Sequence, residues 1–115
     1  MKNDFDLIIV GGGLVGGSLA LALRGSGLKI AVIEAQTDEE RSHAPTADRA
    51  LALSRNTVQA LRGLGVFDAI QDQAAAIRHI HISDRGHFGK ARLYAEDRGV
   101  DALGHVVVAR GLEQA

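Results

Sequence analysis

Cysteine is absent, proline occurs once, and the charges nearly cancel, with 13 basic against 14 acidic side chains and a formal net charge of −1. Without cysteine there is no disulfide framework, no thiolate zinc or iron–sulfur site and no cysteine nucleophile, and the composition fits a reducing compartment. A balanced charge supplies no field to hold nucleic acid or an acidic membrane, so neither is expected as an electrostatic partner. Glycine goes the other way. Its 14 occurrences in 115 residues exceed the average share of about 7% without any low-complexity tract, which gives individual glycines positional meaning. The length is that of about one small domain.

Leu7 to Leu23 carries no charged side chain over 17 residues, the raw material of a signal peptide or a membrane span. Asp4 and Asp6 in front of it spoil a basic leader, and Gly11, Gly12, Gly13, Gly16 and Gly17 weaken a continuous helix. A cytoplasmic protein is expected.

Phe5 to Val10 is a short apolar run ending in glycine, the pattern of a buried parallel strand. Leu14, Val15, Leu19 and Leu23 then recur at helical spacing, and Gly25-Ser26-Gly27 supplies a stop. Lys29 to Ala35 is a second strand, so the opening reads as a βαβ unit with a right-handed crossover. Residues 36–50 hold the proline and read as a polar surface loop, with Asp38-Glu39-Glu40-Arg41 solvated. Ser54 caps a helix running to about Arg62 with Val58 and Leu61 inward. Gly63 and Gly65 break it, and Val66 to Ala76 reads as a second short helix. Ile77 to Ser83 alternates like a half-buried strand, a turn at Asp84-Arg85-Gly86 follows, and Ala91 to Tyr94 is a further strand. Val106 to Ala109 leads into a helix that begins at Arg110.

Gly11 to Gly16 fits G-x-G-x-x-G. Gly11 permits the tight turn out of the strand, Gly13 leaves room for a pyrophosphate against the backbone, and Gly16 lets the helix pack closely on the sheet. The helix N-terminus then offers N–H groups and a partial positive charge to the phosphates. Glu34 follows Gly11 by 23 positions at the end of the next strand, where a carboxylate accepts hydrogen bonds from a ribose. That carboxylate disfavours a 2′-phosphate, leaving FAD or NAD in this pocket. Residues 36–76, read as loop and helices before the next strand, suit a flavoprotein better than a simple nicotinamide-binding domain.

The segments FDLIIVGGGLVGGSLALAL and KIAVIEA resemble the FAD domain of group A flavoprotein monooxygenases, the para-hydroxybenzoate hydroxylase-like class, and DRALALSRNTVQALRGLGVFDAI looks like its ubiquinone-biosynthesis hydroxylase branch. IHISDRGHFGKARLYAED and ALGHVV are similar to that branch, Ser83-Asp84-Arg85-Gly86-His87 being the more specific part. The resemblance implies an α/β, Rossmann-like FAD/NAD(P)-binding fold, incomplete at the C-terminus. Residues 1–115 would be the N-terminal part of the FAD-binding domain, with the substrate domain and the other FAD-binding segments outside them. Gly11, Gly13, Leu14, Val15 and Gly16 would cradle the FAD pyrophosphate, and Glu34 would bind the adenosine ribose. Arg49 matches an arginine near the flavin and pyrophosphate. Arg110 matches one that touches FAD at the start of a helix, although Val108 and Ala109 stand where the branch has acidic and amide residues.

The activity so implied is hydroxylation of the ring of a polyprenylated methoxyphenol in ubiquinone biosynthesis, with FAD as cofactor and NAD(P)H as transient reductant. The cofactor does the difficult chemistry, so no side chain here need be a catalytic acid or base. A lipid-tailed phenol implies contact with the periphery of the inner membrane or with a biosynthetic complex. Absent cysteine excludes cysteinyl attachment of the flavin. A non-catalytic dinucleotide-binding fragment and an NAD-linked dehydrogenase domain remain open as other readings. His79, His81 and His87 lack a completing ligand set, so no metal site is expected. Asp84 and Arg85 are read either as a turn-closing ion pair or as a wall near the substrate.

Overall fold

The structure is a computed structural model that describes residues 3–115. It begins with β1 (Leu7–Val10), α1 (Leu14–Ala22) and β2 (Ile30–Ile33), and β1 pairs with β2 in parallel from Leu7↔Ile30 to Val10↔Ile33. The ladder continues past both strand ends. Asp6 donates its N–H to Lys29 O at 2.8 Å, and Gly11 donates to Ile33 O at 2.7 Å. The expected βαβ unit is therefore present, with shorter strands than the apolar runs. It also explains why the long uncharged stretch is no membrane span: β1, a glycine turn and α1 divide it. Among the described residues no helix is long and apolar enough to cross a membrane.

The expected polar loop contains a short helix and gives way at its last residue to a strand. Residues Asp38–Ser42 form α2, and Ala50–Ser54 form β3. Thr37 closes α2 with a capping box: its hydroxyl accepts from Glu40 N while the Glu40 carboxylate accepts from Thr37 N. The sequence 50–54 (ALALS) carries weak strand propensity, and pairing decides its state. β3 lies antiparallel to β7 (Gly104–Val108), from Ala50↔Val108 to Ser54↔Gly104. Ser54 caps α3 (Arg55–Gly63) as expected, accepting from Thr57 N at 3.2 Å.

The second expected helix is cut short. α4 spans Phe67–Ile70 and a 3₁₀ turn covers Gln71–Gln73, but Ala75–Ile77 is already β4, antiparallel to β7. The strand expected from Ile77 to Ser83 is thus split between two sheets, since β5 (His79–Ser83) pairs instead with β6 (Lys90–Tyr94). Every residue of β5 is exposed, so it is not half-buried here. At the hairpin turn Asp84 meets His87 Nδ1 at 2.9 Å rather than pairing with Arg85. Arg92 Nε donates to His81 Nδ1 at 3.3 Å and His79 lies beside Tyr94, so these histidines are engaged across the strand pair. α5 (Ala109–Gln114) follows β7 directly.

The core lies between α3, α4, α5 and the β3–β7–β4 sheet. Val58, Leu61, Val66, Phe67, Ile70, Val107 and Leu112 form it, and Leu14 packs against it from the start of α1. Leu14 thereby ties the glycine turn to the main core. Phe67, at 0% exposure, is the centre of this packing. The radius of gyration is 18.0 Å, against roughly 13 Å for a rounded domain of this length, in keeping with a β5–β6 hairpin that is exposed along nearly all its length.

Candidate dinucleotide-binding site

Between β1 and α1 the chain must reverse within three glycines. Gly11 takes φ +100°, a left-handed conformation that glycine adopts without strain. A Cβ on Gly16 would overlap the Gly11 carbonyl oxygen, so glycine there lets the first turn of α1 close against the strand end. Around Gly13 the situation is opposite. A Cβ would meet no protein atom within 4 Å and would project into open space beside the helix N-terminus. No side chain caps that end of α1, leaving its first-turn N–H groups to a ligand.

Glu34 faces this turn from the end of β2. Its Oε2 accepts from Gly12 N at 2.7 Å, and its Oε1 accepts from Gln36 N at 2.9 Å. These backbone donors, Gln36 first and Gly12 next, hold the carboxyl below its ordinary range, with Ala35 N–H and Arg41 adding to the effect. A carboxylate has about four lone-pair sites, so Glu34 keeps acceptor capacity for hydroxyl groups after both backbone bonds are made.

Arg41 completes the arrangement, and the sequence pattern did not reveal it. Its Nη1 donates to Gly12 O at 3.0 Å and lies 3.6 Å from Glu34 Oε2, while Nη2 pairs with Asp38. The charged run 38–41 is therefore a capped helix that turns its arginine onto the glycine turn, not a solvated loop. The capping signature Thr37-x-x-Glu40 was the signal that could have found the helix. Gly12, Gly13, Leu14, Val15 and Arg41 share a cleft of about 430 Å³, whose opposite wall includes Leu61 and Leu112. That size falls within the range of small-molecule sites.

The other two expected arginines lie elsewhere. Arg49 is exposed, and Arg110 holds Asp48 through Nη2 at 3.0 Å. Neither lines the cleft. The backbone nevertheless brings them together, because Ala109 N donates to Arg49 O and Arg110 N to Ala47 O, each near 3 Å (3.0 and 2.8 Å). The Arg110 Nε is buried without a partner. Val15, on the exposed side of α1, borders the cleft.

The open space at Gly13, the uncapped helix and a carboxylate across the turn fit an adenosine dinucleotide: helix N–H groups for the pyrophosphate, Glu34 for the ribose. A protein of Synechocystis called uncharacterized protein slr1300 is 43% identical over 96% of this chain and 27% of its own length. Ubiquinone hydroxylase UbiL of Rhodospirillum rubrum is 33% identical over 96% of this chain and 25% of its own. The chain thus spans about a quarter of the length of these relatives. The crystal structure of p-nitrophenol 4-monooxygenase PnpA from Pseudomonas putida shares the fold, with a TM-score of 0.69 at 23% identity over 99% of this chain and 28% of that one. Residues 4–107 match the family described as FAD binding domain, and the chain belongs to that family, the FAD-binding domain of flavin-dependent hydroxylases, with FAD as its dinucleotide.

Proposed function

We propose that residues 1–115 form the N-terminal part of the FAD-binding domain of a monooxygenase that hydroxylates the ring of a polyprenylated methoxyphenol in ubiquinone biosynthesis. The observation that carries this reading is the Gly11–Gly16 turn faced by Glu34 in a chain of the FAD-binding domain family. The likeness to ubiquinone hydroxylase UbiL supports the biosynthetic assignment. The likeness of Ser83–His87 and its flanks to 2-polyprenyl-6-methoxyphenol hydroxylase supports the substrate.

In this reading the N–H groups at the start of α1, with Gly11, Gly13, Leu14, Val15 and Gly16, receive the pyrophosphate. Glu34 accepts from the adenosine ribose, and Arg41 steadies both by gripping Gly12 O beside the carboxylate. Arg49 and Arg110, neighbours through the β3–β7 pairing, extend the site toward the flavin end. FAD, reduced by NAD(P)H, supplies the oxygen chemistry, while these residues bind and orient it. The lipid tail of the substrate places the whole protein at the periphery of the inner membrane or in a biosynthetic complex.

The test uses the whole protein with FAD, NAD(P)H, oxygen and a short-tailed 2-polyprenyl-6-methoxyphenol. Expected are phenol-dependent NAD(P)H oxidation and a product heavier by one oxygen in mass spectrometry. Bound FAD with no hydroxylated product from this phenol would overturn the substrate assignment. An enzyme that binds NAD but not FAD would overturn the whole reading.

A further inference from the structure

A second concave site lies on the other side of α3. Thr57 and Leu61 look toward the glycine-turn cleft, whereas Arg55, Val58, Gln59 and Arg62 line a separate cavity of about 300 Å³. Arg78, just past β4, and His105, in β7, complete its polar wall, with Asp101 as its one carboxylate. α3 and the residue after β4 thus bring three guanidinium groups to one hollow in a chain whose net charge is −1.

These arginines are not spent on the protein. Among the described residues none of the three forms an ion pair or donates a side-chain hydrogen bond, unlike Arg41, Arg92 and Arg110. Arg62 is also held in place. Its guanidinium carbon sits 5.0 Å from the centroid of the fully buried Phe67 ring, which meets His105 edge-on at 5.2 Å. Such stacking lowers the ordering cost of the guanidinium while leaving its N–H edge free to donate. The His105 ring, packed edge-on against Phe67, borders the same hollow.

Three planar five-donor groups gathered in one hollow against a single carboxylate leave an excess of positive charge that matches the oxygens of a phosphate. We propose that this cavity is an anion site for a phosphate-bearing small molecule, distinct from the glycine-turn cleft and independent of the substrate assigned above. The shared chemistry is the phosphate group. A nicotinamide dinucleotide and free inorganic pyrophosphate are its two candidate sources.

The test is a titration of the ¹⁵N-labelled full chain with pyrophosphate by NMR, with and without saturating FAD. Expected are saturable shifts of the Arg55, Arg62 and Arg78 Nε–H signals and the His105 ring, unchanged when FAD is present. Arg62→Gln and Arg78→Gln should each weaken binding by about tenfold, the loss of one charge-assisted contact, while Arg24→Gln leaves it unaltered. Arg78→Gln spares the Phe67 stacking, so it still reports if Arg62→Gln perturbs the fold. Displacement of pyrophosphate by NADPH and NADH identifies the dinucleotide as the source, and failure of both to displace it identifies the inorganic ion. No saturable shift up to millimolar pyrophosphate, shifts abolished by FAD, or wild-type affinity in both variants would overturn the proposal.

Discussion

Arg41 lies 3.6 Å from the Glu34 carboxylate while its Nη1 donates to Gly12 O, so one guanidinium links a helix, a strand end and the glycine turn. Glu34 answers with a 2.7 Å bond from Gly12 N. Gly12 is thus held through both of its flanking peptide groups, its N–H by a carboxylate and its C=O by a cation. A turn that must present its N–H groups to a ligand gains a fixed orientation before the ligand arrives, which reduces the ordering cost of binding. Replacing Arg41 by Ala should lower FAD affinity by about tenfold, as expected for a lost charged hydrogen bond. Titration calorimetry with FAD checks it.

Glu34 also gives the turn a pH dependence. Backbone N–H groups hold its folded-state carboxyl below the ordinary value of 4.5. A depressed carboxyl contributes stability above its unfolded value, and that contribution is lost as pH falls through the folded value. Urea midpoints of wild type and Glu34→Gln should therefore differ at pH 7 and converge as pH falls below about 4.5. A constant difference across that window would place the carboxylate outside the linkage.

Gly16→Ala tests the closeness of α1 to β1. The added methyl would overlap the Gly11 carbonyl oxygen, backbone that cannot swing aside as a side chain can. A loss of about 1–3 kcal/mol is expected, the usual cost of overpacking, together with weakened FAD binding. Denaturant unfolding measures the first and flavin fluorescence quenching the second.

Thr37→Ala removes half of the capping box that starts α2. The loss should be about 1 kcal/mol, typical of an N-cap. Because α2 carries Arg41, FAD affinity should fall as well, although Thr37 lies outside the cleft lining. Unchanged FAD affinity with the stability loss intact would separate α2 from the site.

Phe67→Ala removes the side chain with 0% exposure at the centre of the core. A loss of about 3–5 kcal/mol is expected, from transfer plus cavity. Chemical denaturation monitored by circular dichroism reads it directly.

Local features of the sequence determined the βαβ opening, the glycine turn, the facing Glu34 and the Ser54 cap. Each depends on residues close in the chain or on a short repeating spacing, so each could be read without knowing the fold. Tertiary structure decided the rest. Ala50–Ser54 became a strand only because β7 lies beside it, and Ala75–Ile77 left a helical pattern for the same partner. Arg41 reached the glycine turn through the placement of α2, whereas Arg49 and Arg110 met through backbone pairing and stand outside the cleft. The gathering of Arg55, Arg62, Arg78 and His105 around one hollow has no periodic trace at all. Strand pairing and the convergence of distant charges depend on long-range contacts, and no local window of sequence contains both partners.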